Sequence, residues 1–300
     1  MILTLIGDLN VEFSTTLETS FSSLIQDCLT YRDINTSVGG SAANLAFAAK
    51  RFFSTVNVIG RVGTDALGEH IRQRLADECV SLLCSPLAGE STGVSLYIRD
   101  STSGHPCGNR LLIINRGANR FIDTAEIEKN RPVISGSNAL FVDGYCFVDE
   151  PRRSASDLAL DIARDAGVLV AFDLVPHDAH RVFTLDEVAR WLKKADLIIT
   201  ELRTIRCLLG LDSDDVVTDI VLVDETLKVL RDMFGEKYFS LRFGAGGIDR
   251  SLLCRPGKAP ELTWNHYVET DEPRGFGDRL SAIELAEYLT AQLSLSDSRV

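Results

Sequence analysis

The seven cysteines of this 300-residue chain, at 28, 79, 84, 107, 146, 207 and 254, are odd in number and form no CxxC pair. That scatter excludes a zinc ribbon and a disulfide framework, and it reads as reduced, mostly buried thiols of a cytoplasmic protein. Positive charge is also scarce: 31 Lys and Arg against 43 Asp and Glu leave a net charge of −12. The deficit excludes the broad basic face that nucleic acid or an anionic membrane requires. A small anion held by a local nest of backbone N–H groups is still allowed. No apolar run approaches the ~18 residues of a membrane span. The opening MILTLIGDLN has no basic stretch and soon meets Asp8, so it reads as a first strand rather than a signal peptide. G-x-S-x-G is missing, and no G-x-G-x-x-G follows the first strand, which disfavours hydrolase and dinucleotide chemistry. His177 and His180 lack a Cys or acidic cluster at zinc-ligand spacing and read as a surface loop. The two tryptophans, Trp191 and Trp264, read as packing residues.

What is there is an alternation. Ile2–Ile6, Val56–Ile59, Ala139–Val142, Val168–Phe172 and Leu197–Ile199 read as buried strands. Between and after them, Ala42–Phe52, Asp65–Glu78, Ser154–Asp165, Leu185–Lys194 and Thr218–Phe234 carry helical spacing. In the last, Ile220, Val223, Leu227, Leu230 and Phe234 form one apolar stripe. Such alternation predicts an α/β fold with a mainly parallel sheet covered on both faces. Thr92–Arg99 and Arg110–Arg116, joined by the turn-rich DSTSGHPCGN, break the rhythm and predict an inserted antiparallel hairpin. With no repeat or convincing linker, one domain over 1–300 is expected, with a lid built from about 10–38 and 91–118.

Two stretches carry the chemistry. In SVGGSAANLAFAAKRF, Gly39 and Gly40 allow a tight turn and close approach to a ligand, and Ser41 can cap the helix beside it. Asn44, in that helix's first turn, offers a donor and an acceptor to a hydroxylated ligand. In EPRGFGDRLSA, Asp278 stands behind Gly275, Phe276 and Gly277 at the mouth of a helix. Such a mouth presents unpaired N–H groups and partial positive charge, suited to a transferring phosphoryl group. An aspartate there can take a proton from an acceptor hydroxyl, or merely complement the helix dipole.

Together with NVIGRVGTDALGEHIRQRLADECV, the first stretch resembles the first signature of the ribokinase-like (PfkB) carbohydrate kinase family. Gly39, Gly40, Asn44, Ala46, Ile59, Gly60, Val62, Gly63, Asp65 and Gly68 match it. GDLNVE, with Glu12 where an aspartate is usual, and RGAN at 116–119 extend the likeness along the chain. The resemblance implies a three-layer α/β/α sandwich with a β lid. It implies transfer of the γ-phosphoryl of ATP, with Mg²⁺, to a hydroxyl of a sugar or related polyol. Asp278 would be the base and Gly275, Phe276 and Gly277 the anion hole. Asn10, Glu12, Gly39, Gly40, Asn44 and Asp143 would hold the acceptor. Glu201, Arg242, Gly244, Gly247 and Arg274 would lie on the nucleotide side, with Glu201 toward the metal.

The donor half departs from the family pattern. Glu201 and Thr204 stand where Asn and Glu are usual, and Arg242 replaces a Thr. Arg242 reads either as a phosphate ligand or as a surface charge at a strand end. Arg274 reads either as a phosphate ligand or as an ion-pair partner of Glu272. The 22 residues after Asp278 predict a weakened or open adenine site. Two alternatives follow: a catalytically impaired relative acting as a sugar- or nucleoside-binding or regulatory protein, and a nucleoside kinase. A homodimer through the lid is a further expectation.

Overall fold

The computed structural model describes residues 1–24, 27, 30–100, 109–211, 221–245, 248–258, 260–266 and 276–297. Thirteen strands are described: β1 (Ile2–Ile6), β2 (Asn10–Leu17), β3 (Asn35–Gly39), β4 (Thr55–Ile59), β5 (Ser81–Leu82), β6 (Gly93–Asp100), β7 (Asn109–Asn115), β8 (Ala139–Asp143), β9 (Leu169–Leu174), β10 (Leu197–Glu201), β11 (Tyr238–Ala245), β12 (Ile248–Cys254) and β13 (Glu261–His266). The α-helices are α1 (Ser41–Ala49), α2 (Ala66–Asp77), α3 (Thr124–Lys129), α4 (Arg131–Ser135), α5 (Arg152–Asp165), α6 (Leu185–Lys194), α7 (Leu202–Leu208), α8 (Val221–Phe234) and α9 (Phe276–Asp297).

Nine strands make the central sheet in the order β13-β12-β11-β10-β9-β8-β1-β4-β5. Pairing is parallel from β11 to β5 and antiparallel for β12 and β13. The continuous apolar runs are explained by burial on both faces. Along β8, Ala139 and Phe141 face one core while Leu140 and Val142 face the other. One core is closed by α1, α2 and α9; the other by α3 to α8. Trp191 is a packing residue as expected, with Phe147 at 4.4 Å and Phe183 at 5.1 Å between ring centres. Trp264 lies on β13; its side chain is outside the described residues, as are Cys28 and Cys107. Cys84, Cys146 and Cys254 are buried, Cys79 exposed.

The inserted hairpin is β6–β7, antiparallel, within a four-stranded lid ordered β3-β2-β6-β7. The stretch from Asn10 to Val38 is more regular than its sequence suggests, supplying the eight-residue β2 and the shorter β3. Also beyond the sequence reading are the antiparallel β11–β12–β13 edge and the short β5, α3, α4 and α7. No helix among the described residues is long and apolar enough to cross a membrane.

Candidate active site

In an open parallel sheet, ligands bind beyond the carboxyl ends of the strands. Here those ends carry charge. Asp8 follows β1, Asp143 ends β8 beside its register partner Asp173 on β9, and Glu201 ends β10 beside Arg242 on β11. Asp8 is ion-paired with the fully buried Arg152 and, at 3.1 Å, with Arg116 Nε. Burial works to raise the Asp8 pKa, but the two guanidinium groups overcome it and hold the carboxyl below its usual range. Asp143 has the opposite outcome: burial, then the charge of Asp8, push it up despite Arg152.

Helix α1 begins where the chain cannot carry a side chain. Gly40 has φ of +91°, and a Cβ there would lie 2.3 Å from the Asp8 carbonyl oxygen. Gly40 is therefore the N-cap residue, with no side-chain cap, and Ser41, expected in that role, is the first helical residue. The Ser41 hydroxyl is freed to accept from the Asp8 N–H at 3.3 Å and to donate to Asp143 Oδ2. Gly40→Ala is expected to cost more than about 1 kcal/mol, because both the conformation and the space forbid the methyl. Differential scanning calorimetry would read this as a lowered Tm. The second half of the signature is local in the same way. Asp65 caps α2 by accepting from Gly68 N–H at 2.8 Å and also holds Thr92 N–H, at the lid's root, at 2.8 Å. At Gly63 a Cβ would meet the Glu90 carbonyl at 2.3 Å.

One turn into α1, Asn44 Nδ2 donates to Asp278 Oδ2 at 3.0 Å, across 234 residues of chain. Asp278 lies in the first turn of α9, at the helix's positive end. Its pKa is nevertheless pushed up to about 7, by burial first and by the charges of Asp173 and Asp143, against the Asn44 hydrogen bond and Arg242. Burial likewise pushes Asp173 up to about 6, against the nearby Arg242. A carboxylate poised near neutrality at a helix mouth can accept a proton from a bound hydroxyl.

Arg242 is no surface charge. Its guanidinium, only 14% exposed, donates to Gly277 O at 3.1 Å, Ser281 Oγ at 2.9 Å and Glu284 Oε2 at 2.9 Å, tying β11 to the start of α9. Glu201 accepts from His177 Nδ1 at 3.0 Å. Burial acts to raise the Glu201 pKa, yet the His177 hydrogen bond and charge leave it lowered, while His177 is raised by the same bond. The loop reading of His177 missed this partnership.

A cavity of about 550 Å³ opens beside Asn44, with Glu12 and Gly39 of the lid in its wall. Asn10, 3% exposed, lies behind, its Oδ1 accepting from Asn119 Nδ2 at 3.1 Å. Asp143, 1% exposed, is turned to Ser41. Gly244 lies within β11, and Phe276 opens α9 with its side chain outside the described residues. Gly247, Glu272, Arg274 and Gly275 lie wholly outside them. Asp173 and Glu284 escaped the sequence reading. For Asp173 a signal existed, an acid closing the apolar run that becomes β9.

Residues 3–231 match the model of the pfkB family carbohydrate kinases. The chain belongs to that family. This pfkB-family chain is 28% identical over 233 residues to a 5-dehydro-2-deoxygluconokinase of Clostridium perfringens, covering 76% of this chain and 65% of that protein. It is 32% identical over 139 residues to 5-dehydro-2-deoxygluconokinase 2 of Bacillus cereus, covering 46% of this chain and 40% of that protein. The chain thus spans less than two thirds of the length of these curated relatives. Its fold is shared with adenosine kinase from Sinorhizobium meliloti, at a TM-score of 0.77 and 19% identity over 96% of this chain and 87% of that one. It is shared too with fructokinase from Vibrio cholerae O395 in its fructose-, ADP- and calcium-bound form, at 0.69 and 20% over 97% and 85%. Asp278 lies beyond the residues that the family model matches, so its place in the site rests on the bond to Asn44.

Proposed function

We propose that this pfkB-family chain is an ATP-dependent kinase that phosphorylates a hydroxyl of a sugar or related polyol. The observation that carries the reading is the Asn44–Asp278 hydrogen bond, which joins the family's acceptor-side helix to a carboxylate at a helix mouth. In this reading the acceptor hydroxyl sits beside the Asn44–Asp278 pair, against the Asp278 carboxylate oxygen that Asn44 does not hold. Asp278 takes its proton as the new bond to phosphorus forms, and the start of α9, with Gly275, Phe276 and Gly277, faces the developing charge. Asn10, Glu12, Gly39, Gly40 and Asp143 shape and hold the acceptor pocket. When bound, ATP with its magnesium supplies the phosphoryl group.

The donor side fits such a group modestly. Magnesium is held by one or two carboxylates together with substrate phosphates, and Glu201, 44% exposed at a strand end, is of that kind. No cluster of three or more potential ligands occurs among the described residues. Gly244, Gly247 and Arg274 complete the proposed nucleotide side. Arg242 acts there by holding α9 and by its charge. The likeness to 5-dehydro-2-deoxygluconokinases supports a sugar-derived acceptor.

The test is ADP release from ATP–Mg²⁺ with ribose, fructose, gluconate and adenosine. Acceptor-dependent release with a sugar or sugar acid is the expected result. Because the base works deprotonated, kcat/KM should fall as pH drops below about 7, the value to which burial raises Asp278. A second reading, a sugar-binding protein without kinase activity, is favoured by the engagement of Arg242 with α9 and of Glu201 with His177. Thermal stabilisation by a sugar with no ADP release would select it, and turnover of adenosine alone would select a nucleoside kinase.

The lid also supports a homodimer. On β7, at the lid's edge, Leu111, Leu112, Ile113 and Ile114 are all 42–50% exposed, an apolar strand that a second copy would cover. Light scattering should give twice the 33.0 kDa chain mass, and Leu112→Lys should shift it toward the monomer.

A further inference from the structure

Asp173 is a buried carboxylate with little to hold it. It stands near the end of β9, beside Asp143 in the register of β8. Its Oδ2 lies 3.8 Å from Arg242 Nη1, within reach of charge but too far for a hydrogen bond. Arg242 already has a carboxylate partner in Glu284, at 2.9 Å. Ser281 Oγ stands 3.2 Å from Asp173 Oδ2 and 3.0 Å from Gly277 O, so one hydroxyl proton is divided between two acceptors. That divided proton is the only one offered to the Asp173 carboxylate among the described residues. Burying a carboxylate with so few donors costs stability. The packing of the sheet does not account for it, and the group it faces does.

That group is Asp278. Ser281 lies three residues beyond Asp278 on α9, on the same side of the helix, so its hydroxyl brings β9 to the face that carries Asp278. Facing Asp278 are Asn44 from α1, Asp143 from β8, Asp173 from β9 and Arg242 from β11. Arg279, next on α9, lines the cavity beside α1 and α2, and Glu201 at the end of β10 is turned to His177. Asp173 itself faces Asp143, Arg242, His177 and the Tyr145 phenol. Asp143 accepts from Ser41 and lies against the charge of Arg152. Asp173 is opposed by Arg242 and His177, and these are answered in turn by Glu284 and Glu201. A negative charge thus stands near Asp278 with little to cancel it. Burial lifts Asp173 to about 6 and Asp278 to about 7, so at neutral pH Asp173 is the more ionised of the two. A like charge nearby makes a carboxylate hold its proton more tightly.

We propose that Asp173 is a positioning residue that acts on the acceptor through Asp278: its carboxylate, set against the start of α9 by Ser281, makes Asp278 the stronger base. This rests on the reading of Asp278 as the proton acceptor, so the test pairs turnover with a titration that needs none.

The aspartate carboxyl carbons are labelled with carbon-13 and followed by NMR as pH is varied. The resonance lost in Asp278→Asn marks Asp278, and the one lost in Asp173→Glu marks Asp173. In parallel, kcat/KM for ADP release is measured against pH with whichever of ribose, fructose and gluconate supports it. In Asp173→Asn the Asp278 titration and the acid limb of kcat/KM should both move down by about one pH unit. The weaker base should lower kcat at pH 8 by roughly tenfold or less, while KM stays within about twofold because Asp173 does not touch the acceptor. Asp173→Glu keeps the charge and should leave the limb near its wild-type position. Coupling between two charges is reciprocal, so Asp278→Asn should lower the Asp173 titration by a similar amount; this measurement decides the matter if Asp173→Asn does not fold. Shifted titrations with no ADP release from the wild type keep the coupling while removing the kinase reading. An Asp278 titration that stays in place in Asp173→Asn, whatever happens to kcat, overturns the proposal, as does an Asp173 titration indifferent to Asp278→Asn; Asp173 would then only brace Arg242.

Discussion

Asp278→Asn is expected to lower kcat by about 10³-fold, within the 10²–10⁴ range that a positioned proton acceptor contributes. The amide is nearly isosteric, and its oxygen can still accept from Asn44 Nδ2, so the pocket wall and acceptor affinity should change little. What disappears is the site that takes the hydroxyl proton. The same substitution should raise stability at pH 8. Burial holds the Asp278 pKa at about 7, above the 3.8 of a freely solvated aspartate. Between those values the folded chain binds more protons than the unfolded one, so the group's contribution to stability falls as pH rises through that window. Above pH 7 the full cost of a buried carboxylate is present, and the amide removes it. A Tm gain of about 2 °C or more at pH 8, shrinking toward pH 4, is the expected signature. Lost turnover with gained stability marks a functional carboxylate; unchanged turnover would remove Asp278 from the mechanism.

Glu284→Ala should have the largest effect on stability. Glu284 is 2% exposed and accepts from Ser240 Oγ at 2.7 Å, Ser251 Oγ at 2.6 Å and Arg242 Nη2 at 2.9 Å. Breaking a buried pair by removing one partner leaves the other charge poorly compensated, at a cost of about 3–5 kcal/mol. In a chain of this length that is roughly a 5–8 °C loss of Tm. Because Arg242 also holds Gly277 O, the start of α9 loses its anchor, and kcat should fall with it. Glu284→Gln, which keeps the shape and one acceptor, should lose less of both. A Tm unchanged in Glu284→Ala would mean that Arg242 is not held as described.

How much of this was legible in the sequence follows from how local each feature is. The parallel strands were readable because burial on both faces makes their runs continuously apolar, as in Ala139–Val142. The antiparallel edge β11–β13 was not, because LRFGAGGIDR reads as a glycine turn until β12 pairs back onto β11. In the signature, Asp65 acts on Gly68 three residues on, while Gly40 and Gly63 make room for the backbone of Asp8 and Glu90, so the residue type at each position is fixed by its own backbone surroundings. The role given to Ser41 failed because Gly40's positive φ takes the cap position and a buried carboxylate competes for the hydroxyl.

The long-range partners had no such mark. Arg152 reaches Asp8 across 144 residues and Glu284 reaches Ser240 across 44, and only the sheet order brings them together. Likewise, Arg242 looks like a strand-end charge until α9 is laid across it. In the sequence Asn44 and Asp278 stand at two separate helix mouths, and the hydrogen bond between them is the observation that joins the halves.

The most direct test is a crystal structure of the chain with an acceptor that supports ADP release and a non-hydrolysable ATP analogue with magnesium. One acceptor hydroxyl oxygen should lie within about 2.6–3.2 Å of an Asp278 carboxylate oxygen, with Asn44 alongside. An acceptor bound with all its hydroxyls away from Asp278, or an α9 mouth turned from the nucleotide, would contradict it.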